Sequence, residues 1–263
     1  TLLVGFGFSG KTLLASSMAL SVVSGRPLFG RIAISKGRVL HVDGEPGRVE
    51  NVARYRILAK GMGLAQADLA HLTCVSLPKF SLDLPDATGL LRMAVRGHML
   101  CVIDCFRSFT TADENDSRAR AGLDRLAMVS EDTGCAFVVI HHSGKGDRSD
   151  KRHAPRGSSA LFDAAANVLN LDAKDDQTIV LTQTKVRSGA RMQPLHFKFE
   201  PAGDYREEIG RRESLRLVVV SEGAEKEPSI KEKIVRVLRF APGMRLPAPD
   251  LQKSVGVKKE RYL

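Results

Sequence analysis

Strand-length runs of apolar residues alternate with amphipathic segments from the start of the chain to Arg156. The apolar runs predict five strands, at Leu2–Val4, Arg38–Val42, Leu72–Ser76, Leu100–Asp104 and Ala136–His141. The segments between them have apolar residues at helical spacing and predict four helices, at Thr12–Ser24, Arg48–Lys60, Asp86–Val95 and Ser117–Thr133. Alternation of this kind is typical of an α/β fold with a mainly parallel, twisted sheet flanked by helices.

Beyond Arg156 the apolar runs come closer together and the links between them become short. Four further strands are predicted, at Asn167–Leu171, Thr178–Thr184, Leu195–Glu200 and Leu215–Val220. Because short links suit hairpins better than helical crossovers, we expect antiparallel strands at one edge of the sheet.

A charged segment, Gly223–Pro228, separates this core from a helical tail. Apolar residues at helical spacing predict a helix over Ser229–Phe240. Two shorter helices follow at Asp250–Ser254 and Val257–Leu263, and this succession is typical of a helix-turn-helix module. The sequence therefore predicts two domains: a core over residues 1–222, and a linker with an incomplete helix-turn-helix-like module over residues 223–263.

The composition is that of an ordinary globular protein, with 43% apolar and 27% charged residues. The longest apolar runs have the length of strands, so no membrane-spanning helix is expected. Lys and Arg number 40 against 30 Asp and Glu, which leaves a net charge of +10. Such an excess favours a polyanionic partner without identifying it.

The four cysteines are Cys74, Cys101, Cys105 and Cys135, and none has the C-x-x-C spacing of a zinc site. Three lie in apolar, strand-like stretches, and Cys105 directly follows one. This placement favours buried, reduced thiols in a cytoplasmic protein, and no signal peptide is visible.

Gly5 to Thr12 reads GFGFSGKT and satisfies the phosphate-loop pattern G-x-x-x-x-G-K-[ST], between a predicted strand and a predicted helix. Its glycines let backbone N–H groups surround the β-phosphate, and the helix that follows adds the positive end of its dipole. Lys11 is expected to reach the β- and γ-phosphates, and the Thr12 hydroxyl to coordinate Mg²⁺. We therefore predict binding of ATP with Mg²⁺ by Gly5, Phe6, Gly7, Phe8, Ser9, Gly10, Lys11 and Thr12.

Carboxylates that follow two other strands are candidates for the metal site and for catalysis. Asp104 ends an apolar run and is expected to accept a hydrogen bond from water bound to Mg²⁺, although a strand-end turn would also use an aspartate. Asp43 and Glu45 follow Arg38–Val42, and one of them is expected to orient the water that attacks the nucleotide. Alternation does not choose between them, because side chains two residues apart on a strand point to the same face.

The strand predicted at Ala136–His141 is followed by a second histidine, His142. Adjacent side chains on a strand point to opposite faces, which disfavours a metal site built on the two histidines. We expect instead that one imidazole donates to the γ-phosphate. The loop that follows is rich in basic residues and is expected to bind nucleic-acid phosphates through Lys145, Arg148, Lys151, Arg152 and Arg156.

These motifs, in this order, resemble those of RecA-like ATPases of the DnaB/KaiC branch, and most closely those of small hexameric plasmid replication helicases of the RepA type. The similarity covers Leu2 to Glu200, includes the magnesium-binding stretch Leu100–Phe109, and is most specific at Thr133–Gly146, where RepA-type proteins also carry a double histidine. It implies a RecA-like fold, ATP hydrolysis and assembly into a ring. It also implies that Glu45 orients the attacking water and that His142 is the γ-phosphate sensor.

A second element, Thr184–Gly189, resembles the K-x-R element of DnaB- and KaiC-type rings. The resemblance implies that Lys185 and Arg187 reach the γ-phosphate of a nucleotide bound to the neighbouring subunit. Positive charge from a neighbour suits phosphoryl transfer, in which the enzyme stabilises negative charge without covalent participation. Taken without the resemblance, the same residues read as a basic hairpin turn. The predicted catalytic residues are Glu45, Asp104, His142, Lys185 and Arg187.

Two functions are consistent with these features. The first is a ring-forming, ATP-hydrolysing motor, a replicative DNA helicase of the RepA type, whose hexamer moves along single-stranded DNA held by the loops Ser143–Pro155 and Thr110–Ala119. The second is an ATP-switched regulator or loader that binds duplex DNA through the module over Ser229–Leu263. Because the chain has no Trp and only 5% aromatic residues, we expect binding to single strands to depend on charge and to weaken steeply with salt.

Overall fold

The computed structural model describes residues 1–45, 47–111, 117–142, 159–174, 176–202, 205–206, 211–212 and 214–222. Its strands are β1 (Leu2–Gly5), β2 (Val39–Asp43), β3 (Leu72–Ser76), β4 (Leu100–Asp104), β5 (Ala136–His142), β6 (Asn167–Ala173), β7 (Ile179–Val186), β8 (Leu195–Pro201), β9 (Tyr205–Arg206), β10 (Arg211–Arg212) and β11 (Leu215–Glu222). Its α-helices are α1 (Lys11–Ser24), α2 (Arg48–Gly61), α3 (Ala87–Val95), α4 (Ser117–Thr133) and α5 (Ser159–Ala164). Short 3₁₀ segments occur at Gln66–His71 and Phe106–Phe109.

Nine of these strands form one sheet, in the order β11-β8-β7-β6-β1-β5-β4-β2-β3. All neighbours from β6 to β3 are parallel, whereas β7, β8 and β11 extend the sheet by antiparallel pairing. The predicted mainly parallel sheet with antiparallel edge strands is therefore confirmed. One detail differs from the prediction, because β6 is parallel to β1 and antiparallel to β7 alone.

The buried strands divide the core into two apolar layers, one on each face of the sheet. Leu3 and Ile140 face the layer that α1 and α2 cover, where Leu14 is one of the buried residues. Their neighbours along the same strands face the other layer. Val139 is one of them, and Leu126 of α4 packs in that layer. Successive side chains on a strand point to opposite faces, so burial of both faces accounts for the almost continuous apolar runs in the sequence.

The predicted boundaries of the strands and the four longer helices agree with the structure to within two residues. Helix α1 begins directly after Gly10 and ends before Gly25, and both glycines have the left-handed backbone that suits a helix terminus. Helix α5 was not predicted, because a helix of six residues is too short to show a helical repeat.

The helix-turn-helix module predicted over residues 223–263 lies outside the described residues. The basic loop after His142 lies outside them as well, up to residue 158. In the part of the chain that the structure describes, every helix is too short or too polar to serve as a membrane span.

Candidate active site

Parallel pairing brings most of the predicted site residues to one edge of the sheet. Gly5 is paired with His142 across β1 and β5, and Asp43 is paired with Asp104 across β2 and β4. All four residues lie at the carboxyl ends of their strands, and Glu45 follows directly after β2. Open α/β sheets bind ligands at this edge, where the loops leave the strands.

The phosphate loop is closed at its two ends by glycines that no other residue could replace without strain. A Cβ atom on Gly5 would lie 2.5 Å from Ser9 Oγ and 2.8 Å from the carbonyl oxygen of Leu171. Gly10 has a φ of 85° and precedes α1, whose first turn has no side-chain cap. The N–H groups of that turn are therefore available to an anion such as phosphate.

Lys11 is held inside the loop that it follows. Its ammonium donates to the carbonyl oxygens of Gly5 and Phe6, at 2.9 and 2.6 Å, and the residue is only 4% exposed. Burial lowers the pKa of Lys11, while electrostatic interactions with Asp104, Cys105 and Glu45 act in the opposite direction. The ammonium of Lys11 therefore lies against the phosphate loop and within the electrostatic influence of the carboxylates.

Thr12 and Asp104 meet at the start of α1 and the end of β4. The two side chains share a hydrogen bond, and Asp104 is 1% exposed. Burial raises the pKa of Asp104 to about 6; the hydrogen bond with Thr12 works against this rise, and the charge of Glu45 adds to it. The Oδ1 atom of Asp104 has no hydrogen-bond partner among the described residues. A hydroxyl beside an unpartnered, buried carboxylate oxygen suits Mg²⁺, which prefers oxygen ligands and retains several waters, so the residues fit the predicted metal.

A histidine that the sequence analysis did not assign lies beneath this pair. His41 Nε2 is 3.9 Å from Asp104 Oδ2, and His41 Nδ1 is 2.6 Å from the Tyr55 hydroxyl. Burial, assisted by the charge of Arg54, lowers the pKa of His41 to about 3, so the imidazole is neutral at physiological pH. Its position in β2 marked it as buried, but nothing in the sequence indicated that it would face the carboxylate of another strand.

The structure distinguishes the two carboxylates that strand alternation left equivalent. Asp43 is completely buried; its Oδ1 accepts a hydrogen bond from the Glu45 backbone N–H at 3.0 Å, and its Oδ2 accepts one from the Asn51 amide at 3.3 Å. The side chain of Glu45 is 43% exposed. Asp43 therefore shapes the turn that presents Glu45, and Asn51 is a supporting residue that sequence analysis missed.

Two side chains converge on the Oε1 atom of Glu45. The Cys105 thiol donates to it at 3.0 Å, and His142 Nε2 lies 3.3 Å away. Burial acts to raise the pKa of Glu45. The opposing effects are larger and lower this pKa: they are the hydrogen bonds from Cys105 and His142 and the charges of His142 and Lys11. Burial and contact with Glu45 raise the pKa of the Cys105 thiol to about 11, which keeps the thiol protonated.

The contact between Cys105 and Glu45 was not anticipated, because the sequence pattern identified Cys105 only as a buried, reduced thiol. All four cysteines are indeed free, and all except the half-buried Cys74 are buried. No local pattern connects Cys105 with a carboxylate 60 residues earlier in the chain.

The paired histidines at the end of β5 point in opposite directions, as predicted. His141 is 1% exposed and packs edge-on against Phe106, with the ring centroids 6.2 Å apart. His142 is 43% exposed at its side chain and reaches Glu45. The histidine predicted to act as sensor is therefore the one that faces the phosphate-loop edge.

Lys185 and Arg187 lie at the opposite end of the strands from the phosphate loop, where the parallel strands begin. Lys185 is paired with Val168, and Val168 with Leu2, at the amino end of β1. The Lys185 ammonium donates to the carbonyl oxygens of Phe162 and Asp163, at 2.7 and 2.8 Å, and Arg187 donates to the Asp163 carbonyl at 3.4 Å. These two cations are therefore remote from the phosphate loop of their own chain.

The two loops predicted to contact nucleic acid are described only in part. Lys145, Arg148, Lys151, Arg152 and Arg156 all lie outside the described residues. In the second predicted loop, Thr110 and the Thr111 backbone N–H donate to the carboxylate of Asp83, and the segment from Ser117 to Ala119 belongs to α4. The last three residues of the predicted Thr110–Ala119 loop are therefore helical, and residues 112–116 lie outside the described residues.

The fold and the phosphate loop define a P-loop ATPase with a RecA-like core. The family profile of the AAA domain named AAA_25 matches residues 1–148, more than half of the chain, and the chain belongs to that family. Among solved structures, a DnaB-like replicative helicase that interacts with primase has 17% identity and a TM-score of 0.59, and the match covers 82% of this chain and 57% of that one. The RadB recombinase has 18% identity and a TM-score of 0.54, and the match covers 82% of this chain and 89% of the recombinase. The chain thus spans little more than half of the DnaB-like helicase, and the likeness concerns the fold.

Proposed function

We propose that this chain is the ATPase core of a ring-forming motor that acts on nucleic acid, as a RepA-type replicative helicase does on single-stranded DNA. The observation that carries this proposal is the separation of Lys185 and Arg187 from the phosphate loop of their own chain. Phosphoryl transfer needs positive charge near the γ-phosphate, and these two residues fit the case in which a neighbouring subunit supplies it. A ring provides such an interface for every subunit, and we infer a hexamer.

The residues at the carboxyl edge of the sheet are assigned the remaining steps. The phosphate loop binds the β- and γ-phosphates through its N–H groups and Lys11. Thr12 and Asp104 would hold Mg²⁺, which would supply positive charge beside the transferring phosphate. Glu45 orients the attacking water and accepts its proton, since its lowered pKa keeps the carboxylate ionised at neutral pH.

His142 connects nucleotide and nucleic acid in this proposal. Its Nε2 lies at Glu45, and the basic loop begins at the next residue of the chain. A change of partner at this imidazole when the γ-phosphate leaves would move the start of that loop. Lys145, Arg148, Lys151, Arg152 and Arg156 would then bind and release the phosphates of the strand.

Nucleotide turnover in the presence of DNA tests the proposed function. We expect single-stranded DNA to stimulate ATP hydrolysis by the full chain, and ATP to raise its native mass to that of a hexamer. A strand-displacement assay with and without the residues after Gly223 distinguishes the motor from the regulator. Unwinding that survives truncation supports the motor; duplex binding without unwinding, lost on truncation, favours a regulator or loader.

The salt dependence of oligonucleotide binding tests the role of the basic loop. Each phosphate contact to a single strand contributes about 0.7 to the slope of log affinity against log salt concentration. We therefore expect a variant with Lys151→Ser and Arg152→Ser to bind single-stranded DNA with a slope lower by about 1.4. An affinity that does not respond to salt would contradict the assignment of these residues to phosphate binding.

A further inference from the structure

Glu45, Cys105 and His142 offer three metal-ligating atoms that all lie within 4.8 Å of one another. We propose that these three residues form a binding site for Zn²⁺, and that Zn²⁺ bound there reversibly blocks ATP hydrolysis. The inhibitory part of this inference rests on the proposed function, because it assigns Glu45 to the attacking water. The binding part rests on the three ligand atoms alone.

Two of the three separations between the ligand atoms are close to those that zinc requires. Cys105 Sγ is 3.0 Å and His142 Nε2 is 3.3 Å from the same Glu45 oxygen. Tetrahedral zinc with Zn–S of about 2.3 Å and Zn–N and Zn–O of about 2.1 Å places its ligand atoms roughly 3.4 to 3.6 Å apart. These two separations need to change by only a few tenths of an ångström, while Cys105 Sγ and His142 Nε2 lie within 4.8 Å of each other and would have to approach on binding. The fourth position is left to water.

The chemistry of the ligands selects zinc over the metal of the nucleotide site. Thiolate and imidazole are ligands for Zn²⁺, whereas Mg²⁺ prefers oxygen alone. A thiolate, a carboxylate and a neutral imidazole together carry two negative charges, which a divalent ion neutralises. The oxygen atoms of Thr12 and Asp104 and the cluster of Glu45, Cys105 and His142 are thus expected to take different cations.

The cluster is accessible to an ion on one side and supported on the other. The side chains of Glu45 and His142 are each 43% exposed, whereas Cys105 is 1% exposed. The Ser108 hydroxyl lies 3.7 Å from Cys105 Sγ and can donate to the sulfur once the thiolate forms. On binding, the Zn–S bond replaces the S–H bond, the thiol proton passes to solvent, and no electron is transferred.

Zinc in this position would remove two groups from the reaction at once. Glu45 would be a metal ligand and would no longer orient water, and His142 would be held away from the γ-phosphate. Because the ligands are side chains of the protein itself, a chelator that removes the ion should restore both. The inhibition is therefore expected to be reversible and to persist at saturating Mg²⁺.

Cobalt spectroscopy tests the binding, with Co²⁺ as the probe and the full chain in the presence of Mg²⁺ and absence of nucleotide. We expect one equivalent of Co²⁺ to produce a thiolate-to-cobalt charge-transfer absorption, and Zn²⁺ to abolish it by displacement. Cys105→Ser should eliminate the absorption, and His142→Gln should weaken metal binding by at least about a hundredfold, since even supporting residues of a metal site contribute tenfold or more. Cys74→Ser and His196→Asn are matched controls outside the cluster and should bind Co²⁺ as the wild type does.

Hydrolysis assays test the inhibition. Micromolar Zn²⁺ should stop ATP hydrolysis by the wild type and both controls, and a chelator should restore it. The metal site would be overturned if the absorption is absent, or if it persists in a Cys105→Ser variant whose circular dichroism spectrum is that of the folded wild type. Cys105→Ala replaces the serine variant if the latter does not fold. Displacement of Co²⁺ by Zn²⁺ without loss of hydrolysis would overturn the inhibition. A wild type without ATPase activity would contradict the proposed function, while the spectra would still decide on the metal site.

Discussion

His142 Nε2 lies 3.3 Å from Glu45 Oε1, although 97 residues separate them in the chain. The contact exists because β5 and β2 flank β4 and all three strands end at the same edge of the sheet. It joins the residue predicted to sense the γ-phosphate to the residue predicted to orient the attacking water. Exchange of this hydrogen bond for one to phosphate would free the Glu45 oxygen when nucleotide is in place.

The different environments of Asp43 and Glu45 lead to the first prediction. Asp43→Asn keeps an oxygen that accepts from the Glu45 N–H. Its new NH₂ group can donate to Asn51 Oδ1 if the Asn51 amide rotates, because this oxygen has no partner among the described residues. We expect this variant to retain most of its kcat for ATP hydrolysis. Glu45→Gln should lower kcat by about a hundredfold to ten-thousandfold and leave ATP affinity largely unchanged.

Asp43→Ala serves as the positioning variant for this comparison. It loses both hydrogen bonds and should lower kcat while changing KM little, because Glu45 is displaced and the phosphate loop is not. Equal loss of kcat in Asp43→Asn and Glu45→Gln would instead make Asp43 a candidate for the catalytic base.

Lys11→Ala tests the phosphate loop. The variant removes the ammonium that lies against the carbonyl oxygens of Gly5 and Phe6. We expect ATP hydrolysis to fall by at least about a hundredfold and ATP binding to weaken, since a fixed cation at the transferring phosphate is lost. Radiolabelled phosphate release and equilibrium nucleotide binding measure the two effects. Lys36→Ala is the matched control, because Lys36 is half exposed and pairs with Asp68; comparable losses there would argue against a specific role for Lys11.

Asp104→Asn should stabilise the protein while abolishing magnesium-dependent hydrolysis. Burial raises the pKa of Asp104 from its ordinary value of 3.8 to about 6, so ionisation is costlier in the folded state. The folded protein has its full stability below pH 3.8, where the carboxyl is protonated in both the folded and the unfolded state. It loses stability as the pH rises from 3.8 to about 6, because the unfolded state ionises first. At about pH 7.5, without metal, the variant is therefore expected to gain up to about 3 kcal/mol in the free energy of unfolding.

Urea unfolding of wild type and Asp104→Asn at two pH values checks this sign. The difference in unfolding free energy should shrink to roughly half at about pH 5, because the native carboxyl is then already protonated. A difference that stays constant between the two pH values would show that burial of the charge is not its cause.

Mixed subunits test the assignment of Arg187 to a neighbouring nucleotide. Arg187→Ala should bind ATP normally and lose about a thousandfold or more in turnover, as expected for a cation that acts only on the transition state. Mixing it with Glu45→Gln subunits creates interfaces in which an intact Glu45 faces an intact Arg187. Partial recovery of hydrolysis in the mixture supports the trans assignment, and Arg191→Ala, an exposed arginine close by, is the control. A mixture as inactive as its components would contradict a trans role.

Local patterns were sufficient to predict the nine strands of the main sheet, the four longer helices and the phosphate loop. These features depend on residues close together in the chain: alternation along Leu100–Asp104, helical spacing in Ser117–Thr133, and the glycines and lysine between Gly5 and Thr12. Each is encoded within a single element, so the predicted and observed boundaries of these strands and helices agree to within two residues.

The contacts that give the site its chemistry were decided by strand order and register. Asp43 and Glu45 have the same alternation in the sequence, and they differ because Asn51 and the Glu45 N–H meet one of them, while Cys105 and His142 meet the other. Each of the contacts with Cys105 and His142 joins residues 60 or more positions apart, and no local periodicity specifies which strands become neighbours. Burial then sets the charge of each group, because the free energy of ionisation depends on everything packed around it.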